Sequence, residues 1–185
     1  MDCKYCYTRK NNLQKEDNFL NLDKIKAALT AISKEKLESI YLTGGEPLMH
    51  PDFNQILRMC LKFTNVTILT NGTMINEKKA RFLRKIDDES NFETIFRISL
   101  DSVDEAENDS MRGRGSFRKA VFAIMSLYKY EFNPIISIVN YKNKSREMIF
   151  NEFQEYFTKK GFKLENINLK IIPYFSCQLG IMENC

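Results

Sequence analysis

Histidine is nearly absent from this chain of 185 residues: His50 is the only one. A metal site built from several histidines is therefore excluded. A Ser/His/Asp triad would have to use His50, and no nucleophile-elbow pattern accompanies it. Long apolar runs are missing too, and nothing approaches the roughly 20 residues a bilayer-crossing helix needs. No low-complexity segment appears, and the 43% hydrophobic content is that of an ordinary globular chain. Charge of one sign is scarce. The 28 basic and 24 acidic residues leave a net charge of only +4, with lysine and arginine spread along helical segments. Solvated helix faces explain that pattern better than a nucleic-acid surface, so neither nucleic acid nor membrane is expected as a partner. Glycine-rich phosphate loops are absent as well. Gly113-x-Gly115 is too short for a dinucleotide fingerprint and does not open the first β-α unit.

Five cysteines are present: Cys3, Cys6, Cys60, Cys177 and Cys185. An odd number in a helix-rich chain argues against a secreted disulfide scaffold and for a reducing cytosol, where thiolates stay available for metal. Cys3 and Cys6 form a C-x-x-C loop, short enough for both sulfurs to reach one metal centre. A zinc half-site, a redox dithiol and an iron–sulfur half-site all fit it. Cys60 falls on the apolar side of a helical pattern and reads as a small buried hydrophobe.

Periodicity gives the architecture. Apolar residues recur at helical spacing in Leu22–Lys34, Pro51–Phe63, Asn76–Lys85, Ser116–Tyr130 and Ser145–Lys160, the fourth capped by Ser116 and the fifth stopped by Gly161. Short β-rich runs lie between them: Ser39–Thr43, Val66–Thr70, Thr94–Leu100, Ile135–Val139 and Ile167–Ile172. Thr8–Asn21 is polar and reads as irregular. Strands alternating with amphipathic helices predict an α/β fold with a parallel sheet. Glycine and polar residues end strand after strand: Gly44-Gly45-Glu46-Pro47, Asn71-Gly72, Ser99–Ser102, Asn140 and Pro173. In α/β barrels the functional groups gather at such ends, so one shared rim is predicted.

Cys3-Lys4-Tyr5-Cys6 followed by Thr43-Gly44-Gly45-Glu46-Pro47 resembles the radical S-adenosylmethionine (radical SAM) enzymes. Their signature is C-x3-C-x2-C with an aromatic before the last cysteine, then a Gly-Gly-Glu-Pro motif. The resemblance implies an open, partial (β/α)6 barrel whose first strand, like the first motif cysteine, would precede Met1. It makes residues 1–175 a radical SAM core and implies inactivity for the chain as given. Cys3 and Cys6 would bind a [4Fe–4S] cluster. The other site residues it implies contact S-adenosylmethionine: Tyr5 at the adenine, Gly44, Gly45, Glu46 and Pro47 at the methionyl amino group, Ser99 and Asp101 at the ribose or methionyl group, Arg112 at the carboxylate and Asn140 at the adenine. The family's chemistry is reductive cleavage of S-adenosylmethionine to a 5′-deoxyadenosyl radical. Arg112–Phe117 is similar to a segment of maturase-like members, which implies a peptide or protein substrate and an electron donor such as flavodoxin or ferredoxin. Cys177–Cys185 is similar to the start of a cysteine-rich SPASM or twitch extension, placed at residues 176–185. A non-catalytic metal- or partner-binding remnant is the alternative.

Overall fold

The computed structural model describes residues 3–6, 19–32 and 37–174. The proposed extension at 176–185, with Cys177 and Cys185, and most of the polar Thr8–Asn21 stretch lie outside the described residues. Within the described residues five strands form one sheet: β1 (Ile40–Leu42), β2 (Val66–Thr70), β3 (Thr94–Ser99), β4 (Ile135–Asn140) and β5 (Asn168–Pro173). They lie in the order β1-β2-β3-β4-β5 and every pairing is parallel. Parallel neighbours need crossovers, and helices provide them: α2 (Phe53–Cys60), α3 (Glu77–Asp88), α4 (Glu105–Arg112) with α5 (Ser116–Lys129), and α6 (Arg146–Thr158). α1 (Leu22–Ile32) precedes β1 and packs on α2. This is the predicted α/β arrangement of a partial barrel.

Strand alternation decides which residues enter the core. Val66, Ile68, Phe96, Ile98, Ile136 and Ile138 are essentially inaccessible and form one face of the sheet. Against them pack Leu57, Cys60, Leu83, Ile124, Leu127, Phe153 and Phe157, each of the larger side chains contributing about 1.5–3 kcal/mol through burial. The other set of alternating positions, including Tyr41, Arg97, Ser99 and Lys170, forms the inner face. Helix starts follow local chemistry. The side chains of Asn76, Asp104 and Ser145 accept the N–H groups of Lys79, Glu107 and Met148, at 2.9, 2.7 and 3.2 Å.

Three details differ from the sequence reading. α4 was not foreseen. It has little apolar periodicity, but Asp104 three residues before Glu107 is a capping-box spacing that marks its start. Ser116 is the first residue of α5 rather than its cap. Gly115 holds the cap position, and the orphan amides are met by Asp109, which accepts from Phe117 N at 2.8 Å and from Gly115 N. The helix expected from Pro51 begins at Phe53, after a turn.

Candidate active site at the strand ends

Because all five strands run the same way, the residues following them share one end of the sheet. Gly44–Pro47 follows β1, Asn71-Gly72 follows β2, Ser99–Asp101 closes β3, and Asn140 closes β4. The Cys3–Cys6 loop docks at this same end. Lys4 N donates to Met111 O at 3.0 Å, and Cys6 N closes the turn on Cys3 O at 3.1 Å. The Cys3 thiol lies 3.9 Å from Arg112 O. Both thiols are half-buried and outside any disulfide.

Asp101 anchors the loop. Its side chain is fully buried and faces the 7%-exposed guanidinium of Arg112. Arg112 Nη2 donates to Oδ1 at 2.8 Å, and Nε lies 2.8 Å from Oδ2. Val139 N also donates to Oδ1, at 2.9 Å, and the Tyr5 hydroxyl donates to Oδ2. The Tyr5 ring stacks under the guanidinium, 5.4 Å from its centroid, and meets Tyr174 edge-on. Burial opposes the Arg112 charge, but Asp101 outweighs it and holds the group's pKa above its ordinary value. Burial likewise pushes the Tyr5 hydroxyl up, with Asp101 adding to the shift against the opposing Arg112. For Cys3, burial raises the thiol while Arg112 pulls the other way, and burial prevails. A metal ion would have to displace that proton on binding.

The Gly44–Pro47 turn is braced from beneath. Glu46 caps a single 3-10 turn, Pro47–Met49, by accepting from Leu48 N at 3.2 Å. Its other acceptor sites take Thr70 Oγ1 at 2.7 Å and Asn71 N at 2.9 Å. The carboxylate thus ties the β1 turn to the β2 turn. Burial raises its pKa despite these three donors. Gly44 has φ +140°, a conformation that disfavours side chains, and neither Gly44 nor Gly45 has any atom within 4 Å of where a Cβ would sit. The turn therefore presents bare backbone to open space.

Ser99 lies half-buried on the inner face. The Asn140 amide is engaged within its own turn, donating to Lys144 O at 2.8 Å and accepting from Lys144 N at 3.0 Å. Hence Cys3, Cys6, Tyr5, Asp101 and Arg112 form one connected cluster, and Gly44–Pro47 a second element on the same rim. Sequence reasoning missed Asn108. It is inaccessible to solvent, accepts from Asp101 N at 3.0 Å and donates to Ser116 Oγ at 3.0 Å. Its only signal is a polar residue on the inward side of a helix that was itself unforeseen. Cys60 sits in the core, where burial pushes its thiol up to about 11.

A cofactor at this rim must suit these groups. Two soft sulfur donors in one tight turn suit an iron–sulfur centre, and the bare backbone beside Gly44 and Gly45 leaves room for a ligand. Among the described residues, no three His, Cys, Asp or Glu side chains converge as a metal site.

Comparison with known proteins follows the same line. The model of the family described as the Radical SAM superfamily matches residues 1–158. The antilisterial bacteriocin subtilosin biosynthesis protein AlbA of Bacillus subtilis is 31% identical over 129 residues, which cover 69% of this chain and 28% of that protein. A cysteine-type anaerobic sulfatase-maturating enzyme of Clostridium novyi is 30% identical over 92% of this chain and 47% of its own length. A solved structure, native anSMEcpe with bound AdoMet and Kp18Cys peptide, superposes with a TM-score of 0.71 at 22% identity over 94% of this chain and 47% of that one. At that identity the likeness shows the fold. The chain spans less than half the length of these relatives.

Proposed function

The chain belongs to the radical SAM superfamily, whose cofactors are S-adenosylmethionine and a [4Fe–4S] cluster, and from that premise we propose that it forms the core of an enzyme acting on a peptide or protein. Cys3 and Cys6 would hold the cluster, and the strand-end rim would hold S-adenosylmethionine. When bound, these cofactors would supply the reductive radical chemistry that the family uses for hydrogen abstraction. The chain's own residues position and shield. Asp101 and Arg112 fix the cysteine loop against β3 and α4. Glu46 holds the Gly44–Gly45 backbone open so that a ligand's amino group can meet its carbonyl oxygens. Ser99 would offer a hydroxyl to the ribose or methionyl group, Tyr5 a ring face beside the adenine, and Asn140 the backbone of its turn. A flavodoxin- or ferredoxin-like donor would supply the electron.

The observation that carries this reading is the docking of the cysteine loop onto Asp101 and Arg112, on the rim that also holds the Gly-Gly-Glu-Pro turn. Support for a peptide substrate comes from the roles that give the relatives their names, one in bacteriocin biosynthesis and one in sulfatase maturation. The test is anaerobic reconstitution of the full-length protein with iron and sulfide. Cluster absorbance and reductive S-adenosylmethionine cleavage are expected, and both should be lost in Cys3→Ala and in Cys6→Ala. Unchanged iron content and cleavage in either variant would refute the assignment.

A further inference from the structure

The five strands contain no aspartate or glutamate, and their only charged residues are Arg97 and Lys170. Both face inward. Phe96 and Ile98 are buried against the helices at 1% and 0% exposure, so Arg97 and Ser99 project from the opposite face. The same alternation turns Ser137 inward between Ile136 and Ile138. Ser137 is the register partner of both Ser99 and Lys170. Neighbouring strands lie about 4.8 Å apart, so a guanidinium, an ammonium and two hydroxyls share one patch. Arg97 Nε reaches across to Ser137 Oγ at 3.3 Å, towards the level of Lys170. Ser99 stands about 7 Å along the strand from Asp101, so the patch sits just inside the rim.

A lysine on β5 alone would read as protection of a sheet edge. Arg97 has no such explanation, since β3 is the central strand. An unpaired charge there costs stability that an apolar residue would not. Among the described residues neither cation makes an ion pair, whereas Arg112, the cation on the rim, is already matched by Asp101. A guanidinium beside an ammonium and the Ser137 hydroxyl suits the oxygens of a carboxylate.

We propose that Arg97 and Lys170, with the hydroxyl of Ser137, form a recognition subsite for a carboxylate of the peptide substrate. This rests on the peptide-directed reading above and adds a preference: an acidic side chain or terminus near the reacting residue. The cations select and orient the substrate and leave the radical chemistry to the rim.

The test is binding by fluorescence anisotropy to the full-length protein. The probes are a capped, fluorescein-labelled peptide with one central aspartate and its asparagine twin. The aspartate peptide should bind about tenfold more tightly at low salt, with the preference shrinking as salt rises. Arg97→Gln and Lys170→Gln should each reduce the preference several-fold, and the double variant should bind both peptides alike. Arg97→Lys should retain part of it. Lys170 is exposed, so Lys170→Gln still decides the matter if Arg97→Gln fails to fold. Equal binding of the two peptides by the unaltered protein overturns the proposal, as does a preference that survives in the double variant. So does displacement of both peptides by GTP at lower concentration than by free aspartate peptide, which would assign the cations to a nucleotide. Loss of S-adenosylmethionine binding in Lys170→Gln with the peptide preference intact also overturns it, by assigning them to the cofactor's carboxylate. S-adenosylmethionine cleavage is read separately, so failure of this subsite with cleavage intact leaves the radical SAM assignment standing.

Discussion

Replacing Asp101 with asparagine isolates one charge in the site's main anchor. The amide oxygen can still accept from Val139 N and Arg112 Nη2, and the amide nitrogen can donate to the Tyr5 oxygen, although it also faces Arg112 Nε, a second donor. What disappears is the negative charge facing a guanidinium that is only 7% exposed. At about 4 Å and an effective dielectric near 20, that attraction is on the order of 4 kcal/mol. Breaking a buried pair by removing one partner costs about 3–5 kcal/mol. For a domain of this size the loss corresponds to a fall in Tm of about 6–20 °C. Thermal and urea denaturation measure it. The thiol of Cys3 should also react faster with a disulfide reagent, because Tyr5 and Arg112 then hold the loop less firmly. The double variant Asp101→Asn, Arg112→Met should recover much of the stability, since the stranded charge is gone. A Tm within about 2 °C of the unaltered protein, or strictly additive single and double variants, would refute the claim that this pair anchors the loop.

Gly72→Ala should lower Tm by about 2–8 °C, because Gly72 has φ +75° and a Cβ there would lie 3.0 Å from the Ala123 Cβ; an unchanged melting curve would contradict the close approach of α5 to this turn. Glu46→Gln should cost about 1–3 kcal/mol, since one amide group cannot accept from Leu48 N, Thr70 Oγ1 and Asn71 N together; urea midpoints decide it, and a neutral result would remove Glu46 as the brace. Glu107 supplies a pH dependence. Burial alone would raise its pKa, but Lys142, Ser102 and Tyr141 outweigh burial and hold it below the usual glutamate range. A depressed folded-state pKa gives stability that is present above the unfolded value and lost as pH falls through the folded one. Glu107→Gln should therefore flatten the acid limb of the stability profile, and an unaltered limb would show that the contact with Lys142 carries no weight.

Much of the fold was legible because its strands obey one rule. Val66–Thr70, Thr94–Ser99 and Ile135–Asn140 are β-branched and aromatic runs ended by Asn-Gly, Asp-Ser or Asn, and each became a strand within a residue of its predicted limits. The helices with apolar stripes were legible for the same reason. α4 was not, because Glu105–Arg112 buries Asn108 and Arg112 instead of an apolar stripe. Its contribution to the core is polar, and hydrophobic periodicity cannot register that. At the site, motif reading found Cys3, Cys6, Asp101 and Arg112 separately. That Asp101 binds Arg112, Tyr5 and the Val139 amide together depends on β3, α4 and β4 meeting in space, which no sequence spacing encodes.

The two faces of the sheet also account for which parts of the chain are free to specify function. On the helix side the middle positions of β2, β3 and β4 are apolar, and substitutions there are governed by packing and cavity cost. On the inner side stand Arg97, Ser99, Ser137 and Lys170, none of which the core requires. A folding constraint alone would place more isoleucine and valine at those positions, especially on the central strand β3. Charge retained where folding does not need it points to a ligand as the compensating interaction. That is why the expected response to Arg97→Gln is asymmetric: unchanged or slightly higher melting temperature, with a reduced preference for the acidic peptide. A fall in Tm as large as that expected for Asp101→Asn would mean that Arg97 is part of the structural network after all, and the argument from the inner face would fail.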